Sequence, residues 1–388
     1  MKTTKNLVIA ALFASTVSFA ACNRSNAKNN EIQNVTTTTV DGNTKIQVAL
    51  LLDTSNSMDG LIEQAKSRLW NIVNTLTTLK YSGKTPSIEI SLYEYGNDGL
   101  SQSANYIRQV TPLSTDLDLI SEKLFSLRTN GGSEYCGAVI SDATKNLKWN
   151  DGNSSMKLIY IAGNEEFNQG GINYKEAISD ALKNDIYINT IFCGAQSQGI
   201  SMLWKDGADV GKGKFFNIDS NQTVQYIATP YDQKISDCNV RINATYISYG
   251  SQGYEKKMNQ EAQDANAQTL SGANFAERAV SKSKAVYKNE SWDLVDKMKD
   301  DNEAIGKLKK EELPKELQNK STDEIKTIVT KKTKEREEIQ KEIAELGKKR
   351  QEYIDAEAKK SKAQDDLGDA ISTSIVTLAK AKGYTVEK

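Results

Sequence analysis

Asp53, Ser55 and Ser57 follow directly on the apolar run 46–52, so one carboxylate and two hydroxyls stand at alternate positions where a buried strand gives out. Oxygen donors of this kind suit a hard cation. Mg²⁺ takes octahedral oxygen ligands at about 2.0–2.1 Å, keeps several waters and needs only one or two carboxylates, whereas Ca²⁺ accepts a looser shell. A tight strand-to-helix turn aims all three side chains at one point. A local chemistry competes, because Ser and Asp are also favoured at helix starts, where a side-chain oxygen caps a backbone N–H. The pentapeptide alone leaves both readings open.

The elements around it are those needed to place such a turn at a sheet's rim. Residues 88–95 alternate apolar and polar with β-branched and aromatic types, and 157–162, 186–192 and 215–218 read as further strands. Between them, 61–79, 117–127, 138–147 and 174–182 carry helical apolar spacing. Strands alternating with helices predict an α/β fold with a doubly wound, mostly parallel sheet and room for an antiparallel edge strand. Ligands of such sheets sit at the strands' carboxyl ends, where Asp53 and Asn164 fall.

Gly131, Gly132 and Ser133 precede the third helical stretch, and the strand 157–162 ends in Gly163, Asn164 and Glu165. Asp-x-Ser-x-Ser, then Gly-Gly-Ser, then a strand closing on an amide or acid resembles the von Willebrand factor A domain and its metal-ion-dependent adhesion site, over residues 44–235. The resemblance implies a Rossmann-like fold in which Asp53, Ser55, Ser57 and Ser133 hold Mg²⁺, or another divalent cation such as Ca²⁺ or Mn²⁺. Ser133 replaces the family's usual threonine. Asn164 stands where the family carries an aspartate that reaches the ion through water, so the site has one negative charge fewer. Glu134, Glu165 and Glu166 lie close enough in sequence to restore it, with directions that the sequence does not set.

At the start of the chain, Lys2 and Lys5, an apolar stretch at 7–17 and small residues before Cys22 form a secretory signal with a lipoprotein-type cleavage site. The expected organisation is a signal peptide at 1–21, lipidation of Cys22, a flexible Asn/Thr-rich tether at 22–43, the A-type domain at 44–235 and a helical extension at 236–388. No acidic cluster follows Cys22, and the expected location is the bacterial cell envelope, membrane-anchored by lipid and facing the periplasm. The remaining cysteines leave two outcomes open: a Cys136–Cys193 disulfide bracing the metal loop, or three unpaired thiols.

The 388-residue chain has 50 Lys and Arg against 51 Asp and Glu, so no net field advertises nucleic acid. It has no histidine, which removes Ser-His-Asp and Cys-His catalysis and His-based zinc sites.

In the last third, Ile325, Ile328, Ile339, Ile343, Leu346, Tyr353 and Ile354 recur at three- and four-residue spacing among Lys and Glu, which predicts a helical hairpin or short coiled coil. Lys332, Glu335 and Arg350 read as interruptions of that seam, and 367–378 as a helix packing back on the hairpin. Aromatic residues at 279–295, Tyr287 and Trp292 among them, predict a packed helix. The expected function is non-enzymatic attachment, through the cation, to a protein or envelope macromolecule that presents a carboxylate. Two alternatives stand beside it: a metal-independent scaffold acting through the extension, and an envelope hydrolase using carboxylates.

Overall fold

The computed structural model of the protein describes residues 44–219, 221–222, 224–359 and 367–387. The leader, Cys22 and the tether lie outside the described residues.

Strand β1 (Lys45–Asp53) is buried along nearly its whole length because both of its faces are covered. Its side chains divide by parity: Ile46, Val48, Leu50 and Leu52 enter one core, Ala49 and Leu51 the other. That is why the run reads as continuously apolar. A short β2 (Leu79–Lys80) stands apart from the main sheet. β3 (Ser87–Tyr95) and β5 (Met156–Gly163) flank β1 in parallel. β6 (Ile186–Cys193) and β7 (Lys212–Ile218) continue the parallel sheet outward. β4 (Ile107–Ser114) closes the other edge antiparallel to β3, giving the order β4-β3-β1-β5-β6-β7. β4 is absent from the strands read in the sequence. Arg108, Gln109 and Pro112 face solvent in it, and only an edge strand tolerates such a proline.

Helices cover both faces of this mostly parallel sheet. α1 (Asp59–Thr77) and α2 (Leu117–Ser126) pack on the Ile46 face. α3 (Cys136–Asn146), α4 (Tyr174–Lys183) and α6 (Trp204–Val210) pack on the Ala49 face, and a short α5 (Gln196–Ser201) follows β6. The four helices read from periodicity correspond to α1–α4 with slightly shifted ends.

The extension contains α7 (Asp232–Asn243), α8 (Gly253–Leu270), α9 (Gly272–Lys282), α10 (Leu294–Asp300), α11 (Ala304–Lys307), α12 (Thr322–Ala358), α13 (Leu367–Ala381) and β8 (Thr385–Val386). The described residues form one compact unit, and Ile235, Ala276, Trp292, Ile339 and Ile371 share an apolar cluster with β1 and α1. The boundary expected at 235/236 falls inside α7.

α12 is a single helix of 37 residues, begun by a capping box between Ser321 and Glu324. Val329, Arg336, Ile343 and Arg350 are buried along it at seven-residue spacing. Arg350, read from sequence as an interruption, belongs to this stripe because Asp232 of α7 meets its Nε at 2.8 Å. α12 packs on α7 and α10. α13 is not a hairpin mate of α12 but docks on α1. Ser372 Oγ meets Thr75 Oγ1 at 3.0 Å, Ser374 Oγ meets the buried Tyr160 hydroxyl at 2.6 Å, and β8 then pairs with β2. α1, which starts at the candidate metal loop, is therefore gripped along its outer side by the end of the chain.

Of the two outcomes left open for the cysteines, the structure has the unpaired thiols. Cys136, Cys193 and Cys238 are free and buried. Cys136 belongs to the core on the Ala49 face and Cys193 to the core on the Ile46 face, so the sheet stands between their side chains. Among the described residues, no helix is long and apolar enough to cross a membrane.

Candidate metal centre

β1 lies between β3 and β5, so the chain leaves it toward opposite sides, and such reversal points form crevices at the carboxyl ends of the strands. Main-chain hydrogen bonds tie three loops together there. Thr54 N–H donates to Tyr95 O at 2.9 Å, Asn56 N–H to Gly131 O at 2.8 Å, Asn130 N–H to Thr54 O at 3.0 Å, and Ser133 N–H to Gly96 O at 3.3 Å. Backbone pairing thus fixes the positions from which the side-chain donors project.

Asp53 closes β1 with 0% of its surface exposed. Its Oδ1 accepts the Ser55 N–H at 2.8 Å, while its Oδ2 is buried with no hydrogen-bond partner. The hydroxyls of Ser55 and Ser57 lie 3.2 Å apart. Asn164, just past β5, donates from Nδ2 to Ser57 Oγ at 3.1 Å. Four of the residues singled out in sequence, Asp53, Ser55, Ser57 and Asn164, therefore form one connected group. Ser133 stands half-buried in the loop paired to Gly96. The capping alternative does not hold, since Ser55 makes no side-chain cap bond at the turn Asn56–Met58 and α1 starts with none.

Glu134 is the residue whose role the sequence left undirected. It is 7% exposed, and its Oε1 and Cγ approach the backbone of Gly132 and Gly96, beside Ser55 Cβ and Asp53 Oδ1. Glu165 and Glu166 are exposed. An acid beside Ser133 was the sole sequence signal, and it does not distinguish inward from outward.

Burial pushes the Asp53 carboxyl up to about 7; the Ser55 N–H opposes this, and the negative charges of Glu134 and Glu165 add to it. Burial likewise raises Glu134, with Glu165 and Asp98 adding to the shift. Among the described residues, no group of three or more His, Cys, Asp or Glu gathers as a metal cluster. The donors here are instead two carboxylates, hydroxyls and an amide, an all-oxygen set suited to a hard cation that keeps part of its water. The orphaned Asp53 Oδ2 also fits such an ion, because a buried carboxylate oxygen without a donor is costly unless a cation meets it.

None of the curated proteins matches the chain. Solved structures with similarity to it include proximal thread matrix protein 1 from the mussel byssus with a zinc-occupied MIDAS motif, at 13% identity over 47% of this chain and 44% of that one, with a TM-score of 0.36. Another is a von Willebrand factor type A protein from Catenulispora acidiphila, at 16% identity over 45% and 39%, with a TM-score of 0.34. A third is an aerotolerance-related membrane protein from Bacteroides fragilis, at 16% identity over 45% and 93%, with a TM-score of 0.33. This chain spans less than half the length of the mussel protein. Residues 47–230 match the family model of the von Willebrand factor type A domain. That match reaches all six strands of the main sheet and every donor loop of the site, and on it the chain carries a type A domain, a common protein-interaction and adhesion module.

Proposed function

We propose that the type A domain attaches to a macromolecular partner through a divalent cation held at the rim of the sheet. Asp53, Ser55, Ser57 and Ser133 hold the ion directly or through water, Asn164 supports its water shell, and a carboxylate of the partner completes the coordination. When bound, the ion supplies the positive charge that lets two negatively charged surfaces meet. The observation that carries this reading is Asp53 Oδ2, buried and unpaired on the residue whose Oδ1 takes the Ser55 N–H, one turn from the adjacent hydroxyls of Ser55 and Ser57. Hydroxyl donors and water sharing favour Mg²⁺, with Ca²⁺ or Mn²⁺ as substitutes.

The sequence pattern around Cys22 supports a lipid anchor on that residue and a position facing the periplasm. Mass spectrometry of the mature N-terminal peptide tests this, and an unmodified Cys22 refutes the anchor. For the adhesion reading, the measurement is capture of envelope components by the purified protein with Mg²⁺ and with EDTA. Capture lost in EDTA and lost in Asp53→Ala supports it. Capture indifferent to both moves the function to the extension.

A further inference from the structure

Glu134 enters the rim through a gap that no other side chain could share. A Cβ on Gly132 would lie 2.5 Å from Glu134 Oε1 and 3.3 Å from Ser55 Cβ. A Cβ on Gly96 would lie 2.8 Å from Glu134 Cγ and 3.0 Å from Asp53 Oδ1. Two glycines from separate loops therefore leave room for Glu134 to lie against the same backbone point as Asp53. Ser55 lies between the two acids, its N–H donating to Asp53 Oδ1 at 2.8 Å and its Cβ beside the same Gly132 position that Glu134 Oε1 approaches. The Asp53 oxygen that remains, Oδ2, is buried and has no partner. Among the described residues no Lys or Arg forms an ion pair with either acid, so once both are ionised the arrangement is stabilised by a cation from outside the chain.

We infer that Glu134 is a resident ligand of the ion site, supplying from the Ser133 loop the negative charge that Asn164 does not supply from the end of β5. With Asp53 it brings the chain's contribution to two negative charges, which matches a divalent cation. The inference rests on the cation reading above.

Mn²⁺ binding to the purified chain, followed by calorimetry and by the electron paramagnetic resonance of the free ion, tests it together with thermal melting in EDTA. Glu134→Gln keeps the size of the side chain and removes its charge. It is expected to weaken Mn²⁺ binding about 10–100-fold, the range seen when groups supporting a metal site are lost. Adding Asn164→Asp to that variant moves the missing charge back to the end of β5 and is expected to recover part of the affinity. An unchanged Mn²⁺ affinity in Glu134→Gln, with binding abolished in Asp53→Asn, overturns the role of Glu134 and leaves the cation reading intact. Absence of Mn²⁺ binding to the native chain overturns both. A Glu134→Gln variant that melts early in EDTA and binds Mn²⁺ normally when folded also overturns the inference, since it makes Glu134 a packing residue.

Discussion

Asp53 at the sheet's rim and Asp264 in the extension are both buried carboxylates, and the chain treats them in opposite ways. Asp264 receives Arg278 Nε at 2.6 Å, Lys282 Nζ at 3.0 Å, Asn239 Nδ2 at 2.8 Å and Asn243 Nδ2 at 2.7 Å. Burial alone would lift its carboxyl, but the charges of Lys282 and Arg278 and the two amides outweigh burial and hold it well below the usual carboxylate range. Asp53 receives one backbone N–H, keeps a bare oxygen and has Glu134 and Glu165 as its charged neighbours. Where the protein supplies its own cations, buried charge joins helices to one another: Arg278 also reaches Asp118 of α2 at 2.8 Å and lies over the Trp70 ring of α1. Where it withholds them and adds acids, the geometry is left for an ion to complete.

The strongest way to break that contrast is to remove a structural cation. Arg278→Met leaves the buried Asp118 without its guanidinium partner and Asp264 with Lys282 as its one cation, and is expected to cost about 3–5 kcal/mol in urea unfolding, with or without EDTA. A cost under about 1 kcal/mol would mean that the extension does not depend on this network.

Acidity separates the two carboxylates by sign. Asp53 holds its proton to about pH 7 in the folded chain, whereas the unfolded chain releases it near the ordinary value of 3.8. The metal-free fold therefore carries this stability below about pH 4 and loses it as pH rises to about 7, by up to about 4 kcal/mol. Asp264 runs the other way: its contribution is present above the ordinary carboxylate value and is lost only in stronger acid. In EDTA, melting at pH 5 should exceed melting at pH 8, and Asp53→Asn should flatten the difference. A native profile that is already flat would remove Asp53 from the account.

Mg²⁺ should reverse the penalty at the rim. At a free concentration about 100 times its dissociation constant, the ion stabilises the fold by about 2.7 kcal/mol. The shift in melting temperature should vanish in Asp53→Ala and persist in Arg241→Ala. That last variant is also the smallest test of the contrast. Arg241 and Glu342 form an exposed pair at 2.7 Å, and breaking it should cost no more than about 1 kcal/mol, since exposed ion pairs are screened by water. A larger loss would show that charge pairing, rather than burial, sets the energetics of the extension.

Features that repeat over a few residues were legible in the chain before it folded. The apolar run of β1, the periodicity of α1–α4 and the Asp53-Ser55-Ser57 spacing are local patterns, because a strand repeats every two residues and a helix every three or four. Which faces meet is set by the packing of distant segments. Cys136 and Cys193 fall on opposite sides of one sheet, α13 returns to α1 rather than to α12, and Arg336 and Arg350 enter an apolar stripe because Asp293 and Asp232 wait there from other helices. Arg278 and Asp118 stand 160 residues apart, and whether Glu134 turns inward depends on glycines in two loops. A local repeat carries no term for such meetings, since their energies arise from burial and charge that exist only once the distant segments have docked.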